Sequence, residues 1–531
     1  MKRTGLSLIL ASVSAVSVLT GQEKAENLGP VHFPTSCTPA AQQQFDRAVA
    51  LLHNFWYPQD LNAFREVAQA DPSCAIAYWG IAISRRTNPL VGAPDSLALK
   101  EGLAAVERAE LIGAKTQRER DYITAIEAYY KDWGRRDYRA RVLAYEQAME
   151  QAYLRYPEDA EAAIFYALAL DEAATVLPPD KNYTRQQKAG GILEQVLAAQ
   201  PDHPGALHYL IHSYDFPPLA ERGVAAARRY GAAAPSSAHA HHMPSHVFSM
   251  LGMWQASIEA NRAALTVFKT YAHAMDFMIY AYLQGAQDSE AKQVVDRSVA
   301  LRTTQAPPSS LTPGGALLGV YTALAAIPAR YALERGAWAE AAALQPQPTT
   351  PVADAITYFA RAMGAARSGN VTSARQNIDQ LRQLEDALVQ ANQDYWAEQV
   401  EIERSAAAAW VAFAEGKKDE ALKLMRSAAD LEDGSEKHIA MENRLWPMRE
   451  LLGELLLEIN EPAQALKEFE LSLHTARNRY RGLYGAAQAA ARSGDRQTAR
   501  AYYEKLVALC SRADSDRPGL VEAKTYLTQS H

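Results

Sequence analysis

The chain is poor in cysteine, in long apolar runs and in clustered basic residues. Three cysteines, Cys37, Cys74 and Cys510, occur in 531 residues. So few exclude a disulfide-dense scaffold. Lysine and arginine are scattered and the formal net charge is −7, so no nucleic-acid surface is encoded. One apolar run stands out: Leu6 to Leu19, about 14 apolar or small residues, lies behind Lys2 and Arg3 and ahead of Thr20-Gly21-Gln22. A membrane helix needs roughly 20 apolar residues, whereas a secretory signal has this length and these flanks. The expectation is an exported chain, periplasmic or secreted, with residues 1–21 as its signal and no transmembrane segment in the mature protein. Also missing are a Walker loop, a dinucleotide fingerprint, G-x-S-x-G and H-E-x-x-H.

What is present is helix. Alanine, leucine, glutamate, glutamine and arginine fill most segments, and apolar positions recur with helical period nearly throughout. No run alternates as a strand would. Segments of helix length are separated by breaks such as Asp71-Pro72, Gln200-Pro201-Asp202 and Arg492-Ser493-Gly494-Asp495. Helix–turn–helix units recurring at roughly 34 residues are the signature of tetratricopeptide repeats. The clearest unit places Tyr484-Gly485-Ala486-Ala487 in a first helix, Gly494-Asp495 in the turn, and Ala499 and Tyr503 in the second helix. Leu452-Gly453, Pro462, Ala465 and Phe469 repeat the pattern, Ala77-Tyr78-Trp79-Gly80 has the same character, and Leu251-Gly252-Met253-Trp254 leads into Ala260 and Ala264. A small residue lets two helices approach, a neighbouring aromatic fills the gap, and each hairpin buries its remaining face on the next. The expected fold is an all-α, tetratricopeptide-like helical-hairpin solenoid. The Pro- and Gly-rich stretch from Ala306 to Gly315 divides it into residues 33–305 and 312–515, and Gln345 to Pro351 reads as a second loop.

The most informative chemistry is histidine. Eight of the thirteen histidines lie between His203 and His273. His208 and His212 are four apart, as are His242 and His246, and residues i and i+4 share a helix face. Two imidazoles on one face can bind one ion, as in zinc helices. If both pairs sit on first helices of their hairpins, and the next first helix carries His273 and Asp276, three inner helices direct them into one hollow. The candidate ligands are therefore His208, His212, His242, His246, His273 and Asp276, with Tyr209, Asp215, Tyr280 and Tyr282 as ligand-binding neighbours. Such donors suit a single divalent ion of zinc, copper or iron. Pro244 complicates the second pair, because a helix starting there leaves His242 in the preceding loop. His53-Asn54-Phe55-Trp56-Tyr57 and Tyr78-Trp79 read as core. Asp171-Glu172 and Asp180-Lys181 read as solvated surface.

In an oxidising compartment Cys37 and Cys74 either form a bridge that clamps the N-terminal arm onto the first hairpin or remain two buried thiols. Cys510 reads as a small apolar residue on a late helix.

Several blocks resemble a family of bacterial exported tetratricopeptide-repeat proteins. They are Val31-His32-Phe33-Pro34-Thr35-Ser36-Cys37, Ala77-Tyr78-Trp79-Gly80-Ile81-Ala82, His203-Pro204-Gly205, His208-Tyr209-Leu210-Ile211-His212 and His242-Met243-Pro244-Ser245-His246. The likeness continues through Tyr280-Ala281-Tyr282-Leu283-Gln284 and Arg449-Glu450-Leu451-Leu452-Gly453 and covers most of the chain after the signal. It implies export and the fold, and no activity. After Glu436-Lys437-His438 the family has a Pro- and Gly-containing loop where this chain reads Ile439-Ala440-Met441-Glu442-Asn443. Three functions follow as expectations. One is a scaffold that binds a protein, peptide or small molecule in the cell envelope. The second is a metal-dependent enzyme or carrier, and the third a purely structural histidine belt.

Overall fold

The protein is described here as a computed structural model covering residues 26–57, 59–302, 316–436 and 444–529. The expected signal at 1–21, the expected dividing stretch at 306–315 and the segment Ile439–Asn443 lie outside the described residues. Every regular element among those described is a helix, and successive helices pair as antiparallel hairpins from Pro39–His53 with Gln59–Ala70 to Tyr480–Arg492 with Arg496–Leu509. The chain is a tetratricopeptide-like helical-hairpin solenoid. Among the described residues no helix is long and apolar enough to cross a membrane.

First and second helices of a hairpin differ in burial. First helices such as Ala160–Thr175 and Ala272–Gln284 are buried on nearly every face, because neighbours flank them on several sides. Second helices such as Val371–Gln390 keep a single buried stripe, the amphipathic pattern of a helix on the outside. The small-residue argument holds in detail. A Cβ at Gly485 would lie 2.2 Å from the Phe469 ring, and one at Gly80 would lie 2.1 Å from Phe64. Gly252 has a different role. It sits in a turn at φ +65°, and a side chain there would meet the Arg477 carbonyl at 2.5 Å. It is a turn glycine where a distant hairpin packs, not a helix-contact glycine.

The N-terminal arm is built into the core. Phe33 is fully buried against Phe45, Trp79 and Tyr122. Cys37 and Cys74 are joined by a disulfide, and the Thr38 amide donates to Asp71 beside it. Cys510 is buried in an apolar cluster, which pushes its thiol up to about 12.

The array curls back on itself. The buried Arg479 guanidinium donates to Glu334, Glu450 and the Tyr280 hydroxyl. Trp254 donates to the Asn478 carbonyl, and the Tyr480 amide donates to Gln284. The C-terminal hairpins thus brace the middle ones. One surface expectation is overturned: Asp171 and Glu172 are buried, because the Ser213 hydroxyl donates to Asp171 and Arg86 pairs with Glu172. Asp180 does stay exposed, capping Thr184, and Lys181 reaches Glu436.

Candidate metal centre

The first histidine pair lies on the helix Pro204–Ser213. The His203 side chain accepts the Ala206 amide and Pro204 occupies the first turn, so the helix begins where the pair needs it. One turn of helix then aligns His208 and His212, whose Nε2 atoms are 3.0 Å apart. The short helix Ala238–His242, capped by Ser237, brings the His239 Nε2 to 2.9 Å from that of His208.

The second pair crosses a helix junction. Ala238–His242 ends at Met243 and Pro244–Met250 begins at once. Met243 keeps helical dihedrals and its amide still donates to the His239 carbonyl, so the path stays helical through the proline. Pro244 fills a first-turn position, where its missing N–H costs nothing. The four-residue relation therefore survives, with the Nε2 atoms of His242 and His246 3.0 Å apart. His273, on Ala272–Gln284, places its ring 4.8 Å from that of His242 and 5.9 Å from that of His246. Within each triad one nitrogen per residue lies within 4.8 Å of the others.

The two triads are copies. His242, His246 and His273 follow His208, His212 and His239 by 34 positions each, the length of one tetratricopeptide repeat. One repeat step carries one triad onto the other. His239 was not among the residues singled out from the sequence. This offset is the signal that could have found it.

Four of the outer nitrogens are committed. The Nδ1 of His208 donates to the His53 carbonyl at 2.6 Å, and that of His246 donates to Asp215 at 3.0 Å. The Nδ1 of His242 donates to the Asn261 side-chain oxygen at 2.7 Å, while the Asn261 amide is spent on the Ser257 carbonyl. His239 Nδ1 meets the Tyr271 hydroxyl at 3.1 Å. A neutral imidazole carries one proton, so donation from Nδ1 leaves a lone pair on Nε2. Such outer partners fix tautomer and ring orientation at metal sites. Burial pushes His208, His239 and His242 well below the usual imidazole range, and the charges of neighbouring imidazoles add to it. These three are neutral at physiological pH.

Each triad is packed by a phenylalanine. The Phe55 ring lies 4.5 Å from His208 and 5.9 Å from both His212 and His239. Its backbone is held at φ 48°, in the left-handed region. Phe277 stacks on His246 at 4.8 Å and meets His242 and His273 edge-on. The segment expected to be plain core thus shapes the site.

A third cluster is of another kind. His53 and His203 each donate from Nε2 to a different oxygen of Glu161, at 2.9 and 3.1 Å. The His53 Nδ1 accepts from the Tyr209 hydroxyl at 3.1 Å, and that of His203 accepts the Ala206 amide. Every polar atom there has a partner, and no inward lone pair is left for an ion. Burial lowers the His53 pKa, and the two imidazoles beside Glu161 hold its carboxyl below the usual carboxylate range against its desolvation.

The other candidates divide. Asp215 is beside the site, behind His246, and Tyr209 is one step removed, behind His53. Asp276 is not brought to either triad: Arg330 holds its carboxylate at 2.8 Å. Tyr280 accepts from Arg479, and Tyr282 accepts from Arg262 at 2.8 Å. Asp276 and Tyr280 lie 34 positions after His242 and His246, so the repeat continues in register to a tier where arginines take the place of further imidazoles. The arrangement is also buried rather than an open hollow, with His239 and His273 half-buried at its edge.

No protein-family model and no curated protein matches the chain. Among solved structures it is similar to a tetratricopeptide repeat protein from Parabacteroides merdae, at 9% identity over 77% of this chain and 99% of that one, TM-score 0.24. It is also similar to a chain of the Naa15/Naa10 complex bound to HypK-THB, at 12% identity over 92% and 74%, TM-score 0.25. A third is a chain of the APC/C hetero-tetramer Cut9-Hcn1, at 11% identity over 92% and 83%, TM-score 0.34.

Proposed function

We propose that this chain is an exported helical-repeat protein whose middle hairpins hold transition metal, and that the metal is its functional element in the cell envelope. One observation carries the reading. His242 and His246 both donate from Nδ1 to oxygens, so two lone pairs face each other at 3.0 Å in a buried site. Facing acceptors repel unless a cation lies between them. An extra proton on His246 would relieve that one contact, but it gives no reason for a third imidazole or for a second copy of the arrangement. A transition-metal ion accounts for all three. Imidazole is a common ligand of zinc, copper, iron and nickel. Three protein nitrogens leave positions on the ion for water or a small molecule, as in catalytic sites.

The test is metal analysis of the chain expressed with its N-terminal segment, recovered from the periplasm or medium and purified without chelator. Stoichiometric transition metal is expected, lost in a His208→Ala, His246→Ala double variant that keeps its helical circular dichroism. Metal-free wild-type protein that also takes up none on dialysis against zinc, copper or iron salts would sink the proposal. Retention of the first 21 residues on the recovered protein would count against cleavage of the signal.

A further inference from the structure

We infer that the two triads hold two copper ions, one on each, close enough to act as a coupled pair. This rests on the metal-binding reading above and goes beyond it in number, identity and coupling. The first argument is register. A 34-residue offset relates all three ligands of one triad to those of the other, so whatever geometry favours an ion in one favours it in both. The second is proximity. The rings of His212 and His246 are 6.4 Å apart and those of His239 and His242 are 6.3 Å apart, across the triads. Within the first triad His212 and His239 are 6.5 Å apart. The two triads therefore adjoin, as the ligand sets of a two-metal site do.

The third argument is charge. All six donors are imidazole nitrogens, and no carboxylate is among them. The nearby carboxylate of Asp215 receives a hydrogen bond from His246 and lies behind the ligand shell, and that of Asp276 is held by Arg330. Placing two doubly charged ions in a buried site with no carboxylate between them is costly. Copper escapes that cost because it can enter as singly charged Cu(I). The fourth is geometry. Metal–nitrogen bonds of about 2.05 Å to atoms 2.9–3.0 Å apart give nitrogen–metal–nitrogen angles of roughly 90–95°. That is narrower than a tetrahedral zinc site and suits the tetragonal preference of Cu(II). The same six nitrogens thus serve both oxidation states, and in the oxidised pair a hydroxide formed from water, its proton lost to solvent, would offset part of the added charge.

The experiment uses the full chain stripped of metal. It is loaded with Cu(I) under nitrogen, desalted and counted. Ferricyanide then removes one electron from each copper, and after desalting the electron paramagnetic resonance spectrum is integrated. The expectation is two coppers per chain with less than a tenth of the Cu(II) intensity that two isolated ions would give, because a bridging hydroxide couples their unpaired spins. His208→Ala and His242→Ala, each confirmed as folded, should each retain one copper with full intensity. Wild-type protein saturating at one copper would overturn the pair while leaving metal binding intact. So would two coppers with full intensity, which are uncoupled. No bound copper together with stoichiometric zinc or iron would overturn the metal assignment alone, and no metal of any kind would overturn both proposals.

Discussion

The backbone carbonyl of His53 accepts the Nδ1 hydrogen of His208 at 2.6 Å, across 155 positions of sequence. The first hairpin therefore orients an imidazole carried by the fifth. His53 is itself fixed by Glu161 and Tyr209, and Gly205 lies against its ring. A Cβ at Gly205 would stand 2.4 Å from the His53 Nδ1. Gly205→Ala should cost about 1–3 kcal/mol by overpacking, and should lower metal affinity at the first triad by roughly 10–100-fold through the displaced outer partner. Urea denaturation and chelator competition measure the two effects. A folded variant with wild-type affinity would show that His53 does not orient His208.

A complementary effect is expected at the second triad. Asp215 accepts from His246 and lends it negative charge. Asp215→Asn keeps the shape and an acceptor but removes the charge. It should weaken the second triad by about 10–100-fold and leave the first unchanged. Competition titrations in a His208→Ala background and in a His242→Ala background separate the triads. Equal losses in both would refute the assignment of Asp215 to one of them.

These expectations also show what could be read in the sequence. The i,i+4 pairs were legible because helix geometry alone puts their side chains on one face. The solenoid was legible because small residues beside aromatics recur with the breaks. His239 was legible only through its 34-position offset from His273, because its approach to His208 depends on how one repeat stacks on the next. Asp276 misled for a related reason. It shares a helix with His273, but the repeat register carries it past the triads to Arg330, 54 positions away. Asp171 and Glu172 looked solvated because the partners that permit their burial, Ser213 and Arg86, are far off in the chain.

Acid should unfold the metal-free protein early. Burial lowers the pKa of His53, His208, His239 and His242. In the unfolded chain these imidazoles take up protons below about pH 6.5, whereas the folded state resists them. The unfolded state then binds more protons, so stability falls as pH drops. The loss begins near pH 6.5 and reaches up to about 1.4 kcal/mol per pH unit for each histidine. Urea midpoints between pH 7.5 and 5 test this. A flat profile would mean that the imidazoles ionise freely in the fold.

The disulfide should matter through the unfolded chain. Cys37 and Cys74 close a loop with a sequence separation of 37, for which chain entropy predicts a stabilisation of about 4 kcal/mol. A Cys37→Ser, Cys74→Ser variant should lower the urea midpoint accordingly, and added reductant should lower the wild type to match. No difference between oxidised and reduced protein would show that the arm, held by Phe33 and the Thr38–Asp71 bond, is ordered without it.

The last expectation concerns the brace between the C-terminal and middle hairpins. Arg479 donates to Glu450 from Nε at 3.0 Å and Nη2 at 2.9 Å, to Glu334 from Nη2 at 2.8 Å, and to Tyr280 from Nη1 at 2.5 Å. Arginine and both glutamates are buried. Arg479→Ala leaves two carboxylates without their cation, and breaking a buried pair in this way costs about 3–5 kcal/mol. Lysine cannot restore it, because one ammonium lacks the planar fork that serves three partners. Both variants should therefore release the helices from Tyr480 onward to limited proteolysis at protease levels the wild type withstands. His273 shares its helix with Tyr280, but the triad rings pack on Phe55, Phe277 and one another rather than on the brace, so metal content should persist in both. Loss of metal alongside the cleavage would mean that the C-terminal hairpins hold the site in shape rather than merely leaning on it.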